Sequence, residues 1–202
     1  MIVKTLRARQ AEGTRQLLIS VASELFTERG YAATSIEDII QRAVAKEALY
    51  HHFSGKDALF RAVYDAVQAE AVSGVMAAAL AMKEPWAAVR AGLSAFLDAC
   101  LEPTFRRVVV LDSVSVLQQE VWEGGIEHNE LPMLRTVLTP LVATHLLPGV
   151  AVEPLVHVAL GGLYGAALFI ARSPKPKAAR REVDTVLDQL ISGLRAGVTP
   201  TT

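Results

Sequence analysis

Cysteine is almost absent from this chain: Cys100 stands alone among 202 residues. One thiol excludes an intrachain disulfide and a multi-cysteine metal site, agrees with a reducing compartment, and reads as a core residue. Charge of either sign is not in excess, since the net value is −1, so bulk electrostatics do not draw the protein to a polyanion. Strand-like alternation of polar and apolar residues is missing throughout. So are a nucleophile elbow, an HExxH pair, a phosphate loop and a dinucleotide fingerprint. Ser113 or Ser115 near Asp112 makes a triad with a remote histidine only on paper, so no enzyme and no cofactor are expected. The opening MIVKTLRARQAEGTR has no apolar signal core, which points to a cytoplasmic protein.

What is present is apolar and helical in its spacing. Hydrophobic residues make up 51% and mean hydropathy is +0.31, which calls for large buried surfaces, some of them between subunits. Leu17, Leu18, Val21, Ala22, Leu25 and Phe26 recur at helical spacing after Gly13, until Arg29-Gly30 ends a first helix. Lys4, Arg7 and Arg9 precede it as a basic arm, either a solvated terminus or a set of cations for a nucleic acid. Residues 57–82 form a long helix with Leu59, Phe60, Val63 and Val67 inward and Gly74 as a weak point. Pro85 and Pro103 open further helices, 86–101 and 104 to about 119. Gly124-Gly125 and the polar run Glu127 to Glu130 make a loop, and 131–147 resumes a helix before Pro148-Gly149.

Residues 154–171 hold no Asp, Glu, Lys or Arg and include Gly161-x-x-x-Gly165. That is long enough for a membrane span, but it is a single run, and small residues also serve close packing in helical bundles. It reads as a subunit-interface helix rather than a membrane segment. After the turn at Ser173 to Pro176, the last helix shows one stripe: Val183, Val186, Leu187, Leu190, Ile191 and Leu194. Its other side carries Arg180, Arg181, Asp184, Asp188 and Gln189.

Residues 34–56 carry the most specific pattern. Thr34 or Ser35 precedes Glu37 or Asp38 by three, the spacing of a capping box, and Ile36, Ile39, Ile40 and Ala43 form one apolar face. The apolar phase then slips, and Leu49 and Phe53 start a new face around Val44. That is a helix, a turn and a second helix whose outward groups, Lys46, Tyr50 and His51, suit phosphates and base edges. Glu47 either accepts from cytosine or repels phosphate. Ser54-Gly55 breaks the helix and places Lys56 beside free N–H groups, a site for a phosphate. With Arg15, Thr34 and Ser35, these residues make the expected DNA-contacting set. The first 56 residues count eight Lys+Arg against six Asp+Glu, the remainder twelve against fifteen, so the DNA reading rests on the motif rather than on charge.

The run Gly30-Tyr31, Thr34-Ser35-Ile36-Glu37-Asp38-Ile39, Ala43, Val44, Leu49-Tyr50-His51-His52-Phe53 and Lys56 resembles the DNA-binding domain of the TetR (tetracycline-repressor-like) family of transcriptional regulators. The resemblance implies an all-α homodimer with a three-helix DNA-binding module, 1–56, and a helical effector-binding and dimerisation domain, 57–202. The expected function is a regulator, chiefly a repressor, that binds a pseudo-palindromic operator and is released by a small, partly apolar effector. The alternatives are an effector-independent DNA-bound or partner-docking protein, or an enzyme on a former DNA-binding scaffold. One departure stands out. The family has Ala-Gly-Val at the turn, whereas Val44 follows Ala43 directly. Either the turn is rebuilt, the recognition helix starts late, or the sequence is in error there.

For the larger domain, apolar walls are expected from Phe96, Cys100, Phe105, Trp122, Met133 and Leu134. Arg106, Asp112, Gln118, His157 and Tyr164 are polar candidates to orient an effector, with internal hydrogen bonding or exposure as their ordinary alternative. Gly161, Gly162, Gly165, Val183, Leu187, Leu190 and Leu194 are the expected dimer interface. The five histidines lack ligand-like spacing. A zinc ion at Glu127-His128 or Glu130 is weaker than a solvated loop, and no metal is expected.

Overall fold

The computed structural model describes residues 2–117 and 130–196, with side chains from residue 9 onward. All regular structure in the described residues is helical. α1 (Ile2–Arg29), α2 (Ile36–Ala43) and α3 (Lys46–His52) form a small module. α4 (Lys56–Leu80) leads to α5 (Pro85–Ala99), α6 (Phe105–Asp112) and its short continuation α7 (Ser113–Val116). The larger module is completed by α8 (Leu131–Ala143), α9 (Val152–Arg172) and α10 (Pro176–Ala196).

Three elements differ from the expected ones. α1 begins at Ile2, so the basic arm is helical and Gly13 lies inside a helix rather than before one. Good helix formers on either side, with no proline, outweigh one glycine's cost of about 1 kcal/mol. α6 is wound with π-type bonding, where a plain α-helix from 104 was expected. α8 stops at Ala143 and not at Leu147. His145 takes a left-handed φ of 55°, its N–H donates to Val142 O at 3.1 Å, and the Leu146 N–H returns to Leu141 O at 2.9 Å. These paired bonds satisfy the last carbonyls of the helix and end it.

The small module packs around Leu18, Leu25, Phe26, Ile39, Leu49 and Phe60, all essentially without exposure. Phe26, Tyr31 and Phe60 form an aromatic cluster, with Phe60 edge-on to both others at centroid distances of 5.2 and 5.0 Å. Phe60 belongs to α4, and the same helix runs on through Gly74, burying Val63, Tyr64, Gln68 and Val75 in the larger module. One helix thus serves both cores, with the expected division at residue 56 falling on its first turn.

α9 is long and apolar enough to cross a membrane by length and composition, and it packs on the core along one side only. Val156, Leu160, Leu163, Ala167 and Ile170 bury one side of it. α10 is held differently. Part of its polar side faces inward to α5, where Arg90 pairs with Asp184 and Asp188, and Arg180 pairs with Asp98 and donates to Ser94 Oγ at 2.9 Å. Part of the charged side, Arg180, Asp184 and Asp188, is therefore an anchor, while Arg181 and Gln189 stay exposed.

Candidate DNA-binding surface and ligand cavity

The helix-turn-helix is built from local rules. Ser35 caps α2: its Oγ accepts from the Asp38 N–H at 3.1 Å while the Asp38 carboxylate accepts from the Ser35 N–H at 2.9 Å, a closed capping box. The hydrogen bonds from Ser35 hold the Asp38 carboxyl below its usual range. Thr34 is withdrawn from the DNA-contacting set. It is 1% exposed, and its hydroxyl donates to Gly30 O at 2.8 Å, leaving nothing to reach a phosphate.

The turn is rebuilt. Val44 adopts φ 51°, ψ 41° and is 90% exposed, so it does not seed the new apolar face expected around it. A β-branched residue is disfavoured in this left-handed region, which is where the missing glycine would be at ease. α3 then begins promptly at Lys46, and the Leu49 N–H donates to Ala45 O at 3.0 Å. Leu49 and Phe53 point into the core as expected. Lys46, Glu47, Tyr50 and His51 are exposed on the other side of α3.

The flanking cations are positioned by aromatic rings. Arg15 lies 5.5 Å from the Phe53 ring centroid and pairs loosely with Glu12. Lys56, at the first position of α4, lies 3.9 Å over the Tyr31 ring. The Tyr31 hydroxyl donates to Asp57. Burial first, then the Asp57 contact, push its pKa up to about 12. Arg42, which the motif did not single out, is tied back to Glu24 and Glu28 on α1.

At the other end of α1 lies a junction between modules. The Asp112 carboxylate on α6 accepts from the Tyr31 N–H at 2.7 Å and from Arg107 Nε at 3.2 Å. The Arg107 guanidinium fills the space where a Cβ on Gly30 would lie, and Gly30 has a left-handed φ of +82°. Thr27 adds a hydroxyl bond to Thr104 at 3.0 Å. Asp112 does not line the cavity where an effector was expected; its Oδ2 holds the DNA-binding module to the larger one.

The larger module encloses a cavity of about 780 Å³, within the size range of small-molecule sites. Phe96, Phe105, Met133, Leu134 and Tyr164 line it as expected. Cys100 is fully buried but off the cavity, and burial pushes its thiol up to about 12, far from a reactive thiolate. Arg106 and His157 do not line it either, and His157 is exposed on α9. Gln118, Trp122, Glu127 and His128 lie outside the described residues, among which no cluster of metal-ligating side chains occurs. Three polar lining residues were missed, Gln68, Glu130 and Glu182. Gln68 was findable, because it continues the Phe60-Tyr64 row of α4 by four more residues. Glu130 was read as loop.

The cavity opens onto an uncovered apolar face. Val158 and Phe169 of α9, with Val186, Leu190 and Leu194 of α10, line its mouth and are each about half exposed or more. A Cβ added at Gly161, Gly162 or Gly165 would meet nothing within 4 Å. Val183 and Leu187 are half-buried against the core.

A helix-turn-helix with an outward recognition helix, joined through the shared helix α4 to a hollow helical module, defines a DNA-binding regulator. Residues 18–63 match the bacterial regulatory proteins of the tetR family, and residues 86–194 match the tetracyclin repressor-like C-terminal domain. The chain belongs to the TetR family of transcriptional regulators, a family of DNA-binding proteins rather than enzymes. A TetR-family regulator from Pectobacterium atrosepticum has the same fold, with a TM-score of 0.81 and 28% identity over 92% of this chain and 96% of that one. The transcriptional activator FasR of Mycolicibacterium smegmatis is 43% identical over 84 residues, 41% of this chain and 38% of that protein. The regulator SrpR of Pseudomonas putida is 30% identical over 125 residues, 61% and 55% of the two chains. The match thus spans less than two thirds of either relative's length.

Proposed function

We propose that the protein is a cytoplasmic, homodimeric repressor that is released from a pseudo-palindromic operator by a small effector. One α3 enters the major groove of each half-site, with half-sites about one helical turn of DNA apart, or a multiple of it. Lys46, Tyr50 and His51 face base edges and phosphates, and Lys56, Ser35 and Arg15 clamp the backbone. The uncovered apolar face of α9 and α10 is the surface the second subunit covers, so that dimerisation also closes the mouth of the cavity. Repression follows from occupancy: a dimer seated in the groove excludes other proteins from that stretch of DNA.

One observation carries the effector reading. α6 lines the cavity with Phe105, Val109 and Val110, and the same helix holds the end of α1 through Arg107 and Asp112. A ligand that prefers one position of α6 therefore shifts the DNA-binding modules of the dimer relative to each other. To switch occupancy fully, it must favour that state by roughly 5 kcal/mol.

The test is selection from random duplex DNA at moderate salt, followed by sequencing of the retained pool. A two-fold symmetric motif is expected, and a pool without one counts against a dimeric sequence reader. On the selected site, Lys56→Ala should weaken binding to all sequences alike and reduce the salt slope by about one unit. An unchanged slope removes Lys56 from the phosphate contacts.

A further inference from the structure

The chemistry of the cavity narrows the class of ligand. At one end, α4, the residue preceding α8, and α9 bring together Gln68, Glu130 and Tyr164. Gln68 is 5% and Glu130 6% exposed. Gln68 Nε2 donates to Glu130 Oε1 at 2.5 Å, and the Tyr164 hydroxyl donates to the same oxygen at 3.3 Å. Glu130 Oε2 and Gln68 Oε1 are left buried with no hydrogen-bond partner. Both of these oxygens are acceptors; the Tyr64 hydroxyl of α4, which feels the Glu130 charge, is also buried without a partner among the described residues and can supply one donor, so the site is still short of donors.

Apart from Glu182 of α10, the other walls are apolar, among them Val75, Trp86, Phe96, Phe105, Leu134 and Val137. No lysine, arginine or histidine among the described residues lines the cavity. Residues 118–129, outside the described residues, hold three glutamates and one histidine, His128, and no lysine or arginine. A carboxylate head group would bring acceptors to acceptors and a negative charge to a carboxyl group, with no cation among the described lining residues to offset either. A hydroxyl brings one donor. An ammonium brings three donors and the opposite charge.

We propose that the cavity takes an amphiphilic amine, whose ammonium donates to Glu130 Oε2 and Gln68 Oε1 and whose hydrocarbon body lies against α5, α6 and α8, and that it rejects an acid of the same length. Burial raises the Glu130 carboxyl above the ordinary carboxylate range, opposed first by its own backbone N–H and then by the bonds from Tyr164 and Gln68. An arriving cation favours the ionised form and reverses that effect. This deepens the effector reading by naming the ligand's class, and it rests on the cavity being a binding site.

The experiment compares decylamine, decanol and decanoate, equal in chain length, by calorimetry on the full chain at neutral pH and below micellar concentration. The amine is expected to bind at least about tenfold more tightly than the alcohol, with decanoate weakest. Glu130→Gln should remove that tenfold advantage and change the alcohol much less, whereas Glu102→Gln, at an exposed carboxylate off the cavity, should change neither. Decanoate binding as well as the amine, none of the three binding, or amine binding that survives Glu130→Gln overturns the proposal. The head-group series on the unaltered protein decides even if the variant does not fold. Operator release is measured separately: an amine that binds through Glu130 yet leaves operator binding unchanged overturns the release mechanism and not the ligand class.

Discussion

The two modules use apolar residues in opposite ways. In the DNA-binding module, Phe26, Tyr31 and Phe60 interlock and Leu18, Leu25, Ile39 and Leu49 fill the remaining space, so the recognition helix sits on a solid base. In the larger module a comparable apolar set stands around about 780 Å³ of space and leaves one face uncovered. A filled core fixes the position of a surface, as base readout requires. A hollow one allows a helix two positions, as control by a ligand requires.

The contrast is sharpest under volume changes. Phe60→Ala should destabilise the protein by about 3–5 kcal/mol, whereas Val137→Phe, which adds volume at the cavity wall, should stay within about 1 kcal/mol because it fills space that exists. Urea denaturation of both variants checks this, and equal losses would mean the cavity is not open. Next in size is the uncovered face. In the proposed dimer, Leu190→Glu with Leu194→Glu should weaken association by at least about 100-fold, because two charges from each subunit would be buried without partners. Sedimentation should show monomers, and operator binding should fall with it.

The junction comes third. Gly30→Ala forces a side chain into a left-handed conformation, at about 1–2 kcal/mol, and displaces Arg107 from its place beside Asp112. Ligand affinity should survive while the ligand's effect on operator binding weakens. A fully retained response would mean that coupling runs elsewhere.

The polar end of the cavity has its own signature in pH. The folded state holds the Glu130 proton to higher pH than the unfolded chain does, so this residue's contribution to stability falls as pH rises from the ordinary carboxylate range through the raised value. Glu130→Gln should flatten that fall, measured by denaturation from about pH 4 to about pH 8. The smallest effect belongs to the rebuilt turn. Val44→Gly should raise stability by about 0.5–1 kcal/mol, since relief of the left-handed strain exceeds the added freedom of the unfolded chain and no packing is lost. A drop in melting temperature would show that Val44 is not strained.

Legibility followed the range of the interactions. The capping box at Ser35 and Asp38, the inward pair Leu49 and Phe53, the outward Lys46, Tyr50 and His51, and the apolar run of α9 all depend on neighbours within about a turn of helix, so spacing in the chain revealed them. Thr34 was misplaced because its hydroxyl turns back to Gly30 O, which only the folding of the chain around it could show. Asp112 looked like a ligand-orienting acid, and its role came from Tyr31, 81 positions away.

By itself, the sequence determined the helices, the helix-turn-helix and the stripe along α10, because helical period and capping are local properties of the chain. Tertiary structure alone decided that Val44 takes the glycine's conformation, that part of the charged side of α10 faces α5, and that Gln68, Glu130 and Tyr164 meet at one end of a cavity. Those three depend on which helices approach one another and how closely, and the space left between helices is a property of their packing rather than of any one segment.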